Sequence, residues 1–128
     1  MKKITPFAFV LVALLFGSCS TDDEKVQRQE EERIDKLFSE LKKISLSVSC
    51  TDSSTWTFTE IGSKACGGPS GYIAYSTTID TANFLKKVKE YSKAVEDYNK
   101  KWGIVSDCTV VQPPTKVVCK DGLPTFVN

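Results

Sequence analysis

Histidine is missing altogether from the 128 residues, and so, nearly, is net charge: 17 lysines and arginines face 16 acids, for a formal +1. Without histidine there is no Ser-His-Asp or Cys-His catalytic unit, no imidazole acid or base near neutral pH, and no imidazole ligand for zinc. The balanced charge argues against a strongly basic nucleic-acid binder and against an acidic disordered tail. No CxxC pair occurs either; the four cysteines from Cys50 onward stand 16, 42 and 11 positions apart, which is not a zinc-site spacing. The glycine-rich stretch at 67–71 is not followed by Gly-Lys-Ser/Thr, so it is not a phosphate loop. We therefore expect no metal, no cofactor, no nucleic-acid partner and no catalytic residues. What is present and unusual is an odd number of cysteines, five, in a chain long enough for one small domain.

The N-terminus accounts for the fifth. Met1-Lys2-Lys3 precedes a mostly apolar run, Ile4 to Phe16. At about 1.5 Å per residue that run covers roughly 20 Å, short of a bilayer core of about 30 Å, as in a signal-peptide h-region. Leu15-Phe16-Gly17-Ser18-Cys19 follows. These residues resemble a bacterial lipobox, with Phe16 where leucine is usual. The resemblance implies cleavage before Cys19 and a lipid on its thiol. A thioether to diacylglycerol requires a cysteine, and two or three acyl chains, each contributing about 0.8 kcal/mol per buried CH₂, make a stable anchor. Residues 1–18 are thus expected to be a lipoprotein signal peptide, with the mature chain held to the outer membrane. The acidic run Asp22-Asp23-Glu24 resembles an export signal to the outer face; a soluble tether is the other reading, and the face displayed stays open.

Residues 19–33 are densely charged and read as a tether, a solvated spacer or a frayed helix. From Ile34 a stripe of Leu37, Phe38, Leu41, Ile44 and Val48 has helical spacing, although Ile44, Leu46, Val48 and Cys50 also alternate as in a strand. Thr55 to Ile61, with Trp56 and Phe58 between threonines, reads as a half-buried strand. Gly67, Gly68, Pro69, Ser70 and Gly71 demand a tight, non-repetitive backbone, and Tyr72 to Ser76 suits a short helix or a short strand. The clearest element is a helix from Thr81 to Trp102. Asp80 is placed as its N-cap and Gly103 just past its end, and Phe84, Leu85, Val88, Tyr91, Val95, Tyr98 and Trp102 form its apolar stripe. Glu96 and Asp97 stand four residues before Lys100 and Lys101, the favourable order for ion pairs. Ile104 to Val111 runs extended to Pro113-Pro114, and Asp121-Gly122 predicts a hairpin between Thr115–Cys119 and Leu123–Val127, with Pro124 at an edge. The expected fold over 34–128 is α+β: one long amphipathic helix on a small, mostly antiparallel sheet, preceded by a charged N-terminal helix.

With Cys19 lipidated, Cys50, Cys66, Cys108 and Cys119 form an even set for an oxidising compartment, and two disulfides are expected. The leading pairing joins Cys66 to Cys108, tying the glycine-rich loop to the strand beyond the helix, and Cys50 to Cys119, tying the N-terminal segment to the last hairpin. Each bridge would close a long loop, worth about 4 kcal/mol in the chain-entropy account. The rival joins Cys108 to Cys119 across a hairpin centred on Pro113-Pro114, with Cys50 to Cys66.

Gly62-Ser63-Lys64-Ala65-Cys66-Gly67-Gly68-Pro69, Tyr72 to Ser76, Asp80, Asn99 and Ser106-Asp107-Cys108 resemble a family of small exported bacterial proteins, many of which look like lipoproteins. The resemblance spans Trp56 to Gly122. It implies that Cys66 and Cys108 belong to a shared architecture, which favours pairing them, and it carries no activity.

Three roles compete. A binding or inhibitory module would use the loop Gly67 to Gly71 beside Tyr72 and Tyr75 to recognise an envelope or secreted protein. A structural envelope component would use the charged helix as adapter. An enzyme would need acid/base pairs from Asp52, Glu60, Asp80, Asp107 and Asp121, for which no spacing argues. The first is the expected function. Labelled palmitate should enter the wild-type chain in a lipoprotein-processing bacterium and fail to enter a Cys19→Ala variant; equal labelling of both would refute the anchor.

Overall fold

The computed structural model of the protein describes residues 21–128; the expected signal peptide over 1–18, the lipobox-like residues and the expected lipidation at Cys19 lie outside them. The chain runs α1 (Thr21–Ser45), a 3-10 turn (Ser53–Thr55), β1 (Trp56–Ile61), β2 (Gly71–Ser76), α2 (Thr81–Trp102), β3 (Lys116–Lys120) and β4 (Leu123–Val127). Strands β1 and β2 form one antiparallel hairpin and β3 and β4 another. The fold is α+β, with two separate ribbons in place of one sheet. Among the described residues no helix is long and apolar enough to cross a membrane.

The β1–β2 ribbon is the middle layer. Side chains alternate across a strand, so Ile61 and Ile73 face one side while Trp56, Phe58 and Ala74 face the other. The first side is covered by the helices: Leu41 of α1 and Phe84 and Val88 of α2 bury themselves against Ile61 and Ile73. The second side is covered by the β3–β4 ribbon, where Val117 joins Cys50, Trp56 and Ala74. Two small cores thus share one two-stranded ribbon, which could not stand alone in water.

Local chemistry sets the element ends. Asp80 accepts from the Asn83 N–H at 3.1 Å and caps α2, and Gly103 closes it in the left-handed conformation at φ 61°. Asp121 and Gly122 both adopt positive φ, 52° and 76°, as a two-residue hairpin turn requires. Tyr72 to Ser76 is a strand, not a helix, because it pairs with β1 from Ile61↔Gly71 to Trp56↔Ser76. α1 ends at Ser45; Leu46, Val48 and Cys50 form no strand, since the Ser45 hydroxyl and the Cys50 N–H bond to Ala74 and Gly122 across the fold instead.

Of the spacer and the charged helix expected before Ile34, the described residues show the helix. From Thr21 onward that segment is helical and continuous with the rest of α1, and its first half packs on the last turns of α2. Gln27 donates to the Tyr98 hydroxyl at 3.0 Å, Tyr98 donates to Glu31, and the Trp102 indole N–H donates to Glu30 at 2.6 Å. Tyr98 and Trp102 therefore extend the apolar stripe of α2 with polar tips, and those tips are what a charged helix can bond. Lys101 also pairs with Glu30, not with Asp97, which takes Lys93 at 3.0 Å; the expected Glu96–Lys100 pair forms.

Phe84 is wholly buried between both helices and the ribbon. Phe84→Ala should cost about 3–5 kcal/mol in urea unfolding, against about 1 kcal/mol for the cap variant Asp80→Ala.

Candidate recognition site at the Cys66–Cys108 clamp

Two bridges staple the globular part. Cys50 is bonded to Cys119 with Cα atoms 5.1 Å apart, and Cys66 to Cys108 at 5.8 Å. The hairpin centred on Pro113-Pro114 that the rival pairing needed does not form: residues 103–115 carry no strand or helix. They make a strap from the end of α2 to β3.

The first bridge lies in the core beside Trp56 and Val117. The second lies at the surface and holds the strap to the glycine-rich loop, with polar bonds around it. The Ala65 N–H donates to the Ser106 hydroxyl at 3.1 Å. The Lys64 ammonium donates to Asp107 at 2.8 Å and to the Thr109 carbonyl at 2.6 Å. The Asn99 side-chain amide donates to the Ser63 carbonyl at 3.0 Å, tying the loop to α2. Within the loop, Lys64 and Gly68 are joined by a backbone bond of 2.9 Å, and Gly67 and Gly68 turn the chain at φ 97° and 82°. The Lys-Ala-Cys-Gly-Gly-Pro and Ser-Asp-Cys motifs are thus the two halves of one clamp.

The predicted recognition residues are not all brought together. Gly67, Gly68 and Ser70 are exposed; Gly67 and Gly68 with Pro69 form one wall of an open cleft of about 710 Å³, whose other wall is α2 at Lys89, Ser92 and Lys93, while Ser70 faces a different groove. Gly71 already belongs to β2. Tyr72 and Tyr75 point to opposite faces of that strand, because they are an odd number of residues apart. Tyr75 stacks on Phe84 at 5.0 Å on the helix side and serves the core. Tyr72 meets Phe58 edge-on at 5.8 Å, and its hydroxyl reaches the Val111 carbonyl at 3.5 Å.

Sequence reasoning missed the strap as a surface. Ile104, Val105 and Val110 belong to the run expected as extended, yet Val105 is 90 % and Val110 74 % exposed. The signal was the two adjacent prolines, which break strand pairing and leave the preceding residues without a ladder.

Three of the five carboxylates open to acid/base work, Asp52, Asp80 and Asp107, are bonded elsewhere. Asp52 accepts from the Ser54 hydroxyl and N–H, which hold its pKa below the usual range. Asp80 caps α2, Asp121 makes the hairpin turn, and Glu60 is exposed on β1. Asp107 is held below the ordinary carboxylate range by the Lys64 hydrogen bond and charge. Among the described residues no cluster of three potential metal ligands occurs. No family model matches the chain, and no characterised protein or solved structure shows significant similarity to it.

Because Asp107 is ionised more readily when folded, its contribution to the clamp is complete above the ordinary aspartate pKa of about 3.9 and is lost as pH falls through its lowered value. An NMR titration should place the Asp107 midpoint below that of an exposed aspartate. Lys64→Ala should return it upward; no movement would show that Lys64 is not the cause.

Proposed function

We propose that the protein is a lipid-anchored envelope lipoprotein of the outer membrane that acts as a non-catalytic binding or inhibitory module, and that its recognition surface is the clamped strap with the adjoining glycine-rich loop. One observation carries the reading. Apolar side chains of Ile104, Val105 and Val110 stand in water on a segment without regular structure, yet that segment is fixed by a disulfide, an ion pair and side-chain hydrogen bonds. Exposed valines cost solvation in the free chain, and holding them in place lowers the ordering cost of binding. Loops set on a rigid scaffold are where recognition concentrates.

The test is capture of a stoichiometric partner by the wild-type chain from envelope extract and from culture medium. Val105→Asp with Val110→Asp should weaken that capture at least tenfold while thermal unfolding stays within a few degrees of wild type. Capture that survives this change but is lost on reversing the charges of Arg28 and Glu32, which are exposed on α1, would favour the adapter role. Hydrolysis of a cell-wall or protein substrate that depends on one carboxylate would overturn both.

A further inference from the structure

A second surface lies away from the clamp, along the outer edge of β2. Thr77 and Thr55 are opposite each other and joined by a backbone bond of 2.7 Å, which fixes the phase of the β1–β2 ladder. Bonded and non-bonded pairs alternate in an antiparallel ribbon. Tyr75, Ile73 and Gly71 therefore turn their N–H and C=O groups toward β1, and Tyr72 and Ala74 turn theirs outward. The Ser45 hydroxyl confirms the direction, donating to the outward Ala74 carbonyl at 2.6 Å. Among the described residues the Tyr72 N–H, the Tyr72 C=O and the Ala74 N–H have no hydrogen-bond partner.

Tyr72 and Ala74, together with the Ser45 that bonds the Ala74 carbonyl, line a groove of about 400 Å³. One wall comes from Phe38 and Lys42 of α1, Leu46 just past its end and Tyr91 of α2, and the other is β4, from Pro124 and Phe126. Phe38, Leu46 and Phe126 are exposed along it. Lys42 is the groove's one charged side chain; it lies 5.9 Å from the Phe38 ring and makes no ion pair among the described residues.

We propose that this groove binds an extended peptide segment of another protein as a third strand on β2, with apolar side chains against the aromatic walls and an acidic residue facing Lys42. Three unpaired backbone groups in an alternating pattern are what a strand satisfies, and the two outward residues span about 7 Å, matching a short stretch of peptide. An acyl chain would bury those polar groups without bonds, at a cost. A second copy of this chain is disfavoured by shape. Its own β2 edge is recessed between α1 and β4, and two recessed edges cannot meet.

The probe is a capped six-residue peptide alternating valine and threonine with one glutamate, titrated into the ¹⁵N-labelled full chain. Binding should slow amide exchange at Tyr72 and Ala74 at least tenfold. Methylating the central peptide nitrogens should weaken binding at least tenfold. Lys42→Glu should weaken the glutamate peptide several-fold and favour a lysine counterpart. The proposal is overturned if the peptide does not bind at millimolar concentration, if the methylated peptide binds equally, or if exchange at Tyr72 and Ala74 is unmoved. It is also overturned if decanoate occupies the groove and excludes the peptide, or if sedimentation shows a dimer that Ala74→Pro abolishes. A Lys42→Glu variant with unchanged peptide preference would remove the acidic requirement and refute the occupant as stated.

Discussion

A two-stranded ribbon has two faces and no core of its own, and the β1–β2 hairpin is the element around which everything else is arranged. Its helix-facing residues, Ile61 and Ile73, are buried by Leu41, Phe84 and Val88; its opposite residues, Trp56 and Ala74, are buried by Val117 and Cys50. Neither cover is large. The β3–β4 ribbon in particular contributes little apolar surface, and the Cys50–Cys119 bridge supplies the constraint that so small a layer needs. The Cys50 N–H bond to the Gly122 carbonyl holds the same junction from the backbone side.

The second bridge has a different task. It lies outside the cores and restrains a strap that has no ladder to hold it. Around it, Lys64, Ala65, Ser106 and Asp107 make bonds that fix the strap against the loop, and Asn99 fixes the loop to α2. The exposed valines of the strap thus sit on a frame set by side chains and a covalent bond. The edge of β2 is open for a related reason. A sheet of only two strands leaves one side of each strand unpaired, and the neighbours that flank β2 form walls without supplying backbone partners.

Much of this was legible in the residues. The limits of α2 follow from Asp80, Gly103 and an apolar stripe at helical spacing, all of which are local. The β3–β4 turn follows from Asp121-Gly122, because few other pairs accept positive φ twice in succession. The class of fold and the disulfide participation of four cysteines were legible as well. The first half of α1 was not. Composition marks Asp22 to Arg33 as solvated, and only the polar tips of Tyr98 and Trp102, brought over it by tertiary packing, give Gln27, Glu30 and Glu31 partners. Tyr75 was misplaced beside the loop because adjacency in sequence hides the alternation of faces along a strand.

The sequence by itself determined the elements whose causes lie within a few residues: caps, turns, periodic stripes, and the parity of the cysteines. Tertiary structure alone decided between the leading cysteine pairing and its rival, which face each tyrosine serves, that the extended run before the prolines is a clamped strap, and that β2 keeps an open edge. Those outcomes depend on groups 30 to 70 positions apart, such as Lys64 with Asp107 or Cys50 with Cys119. No local propensity encodes them, because each arises from the arrangement of packed layers in space.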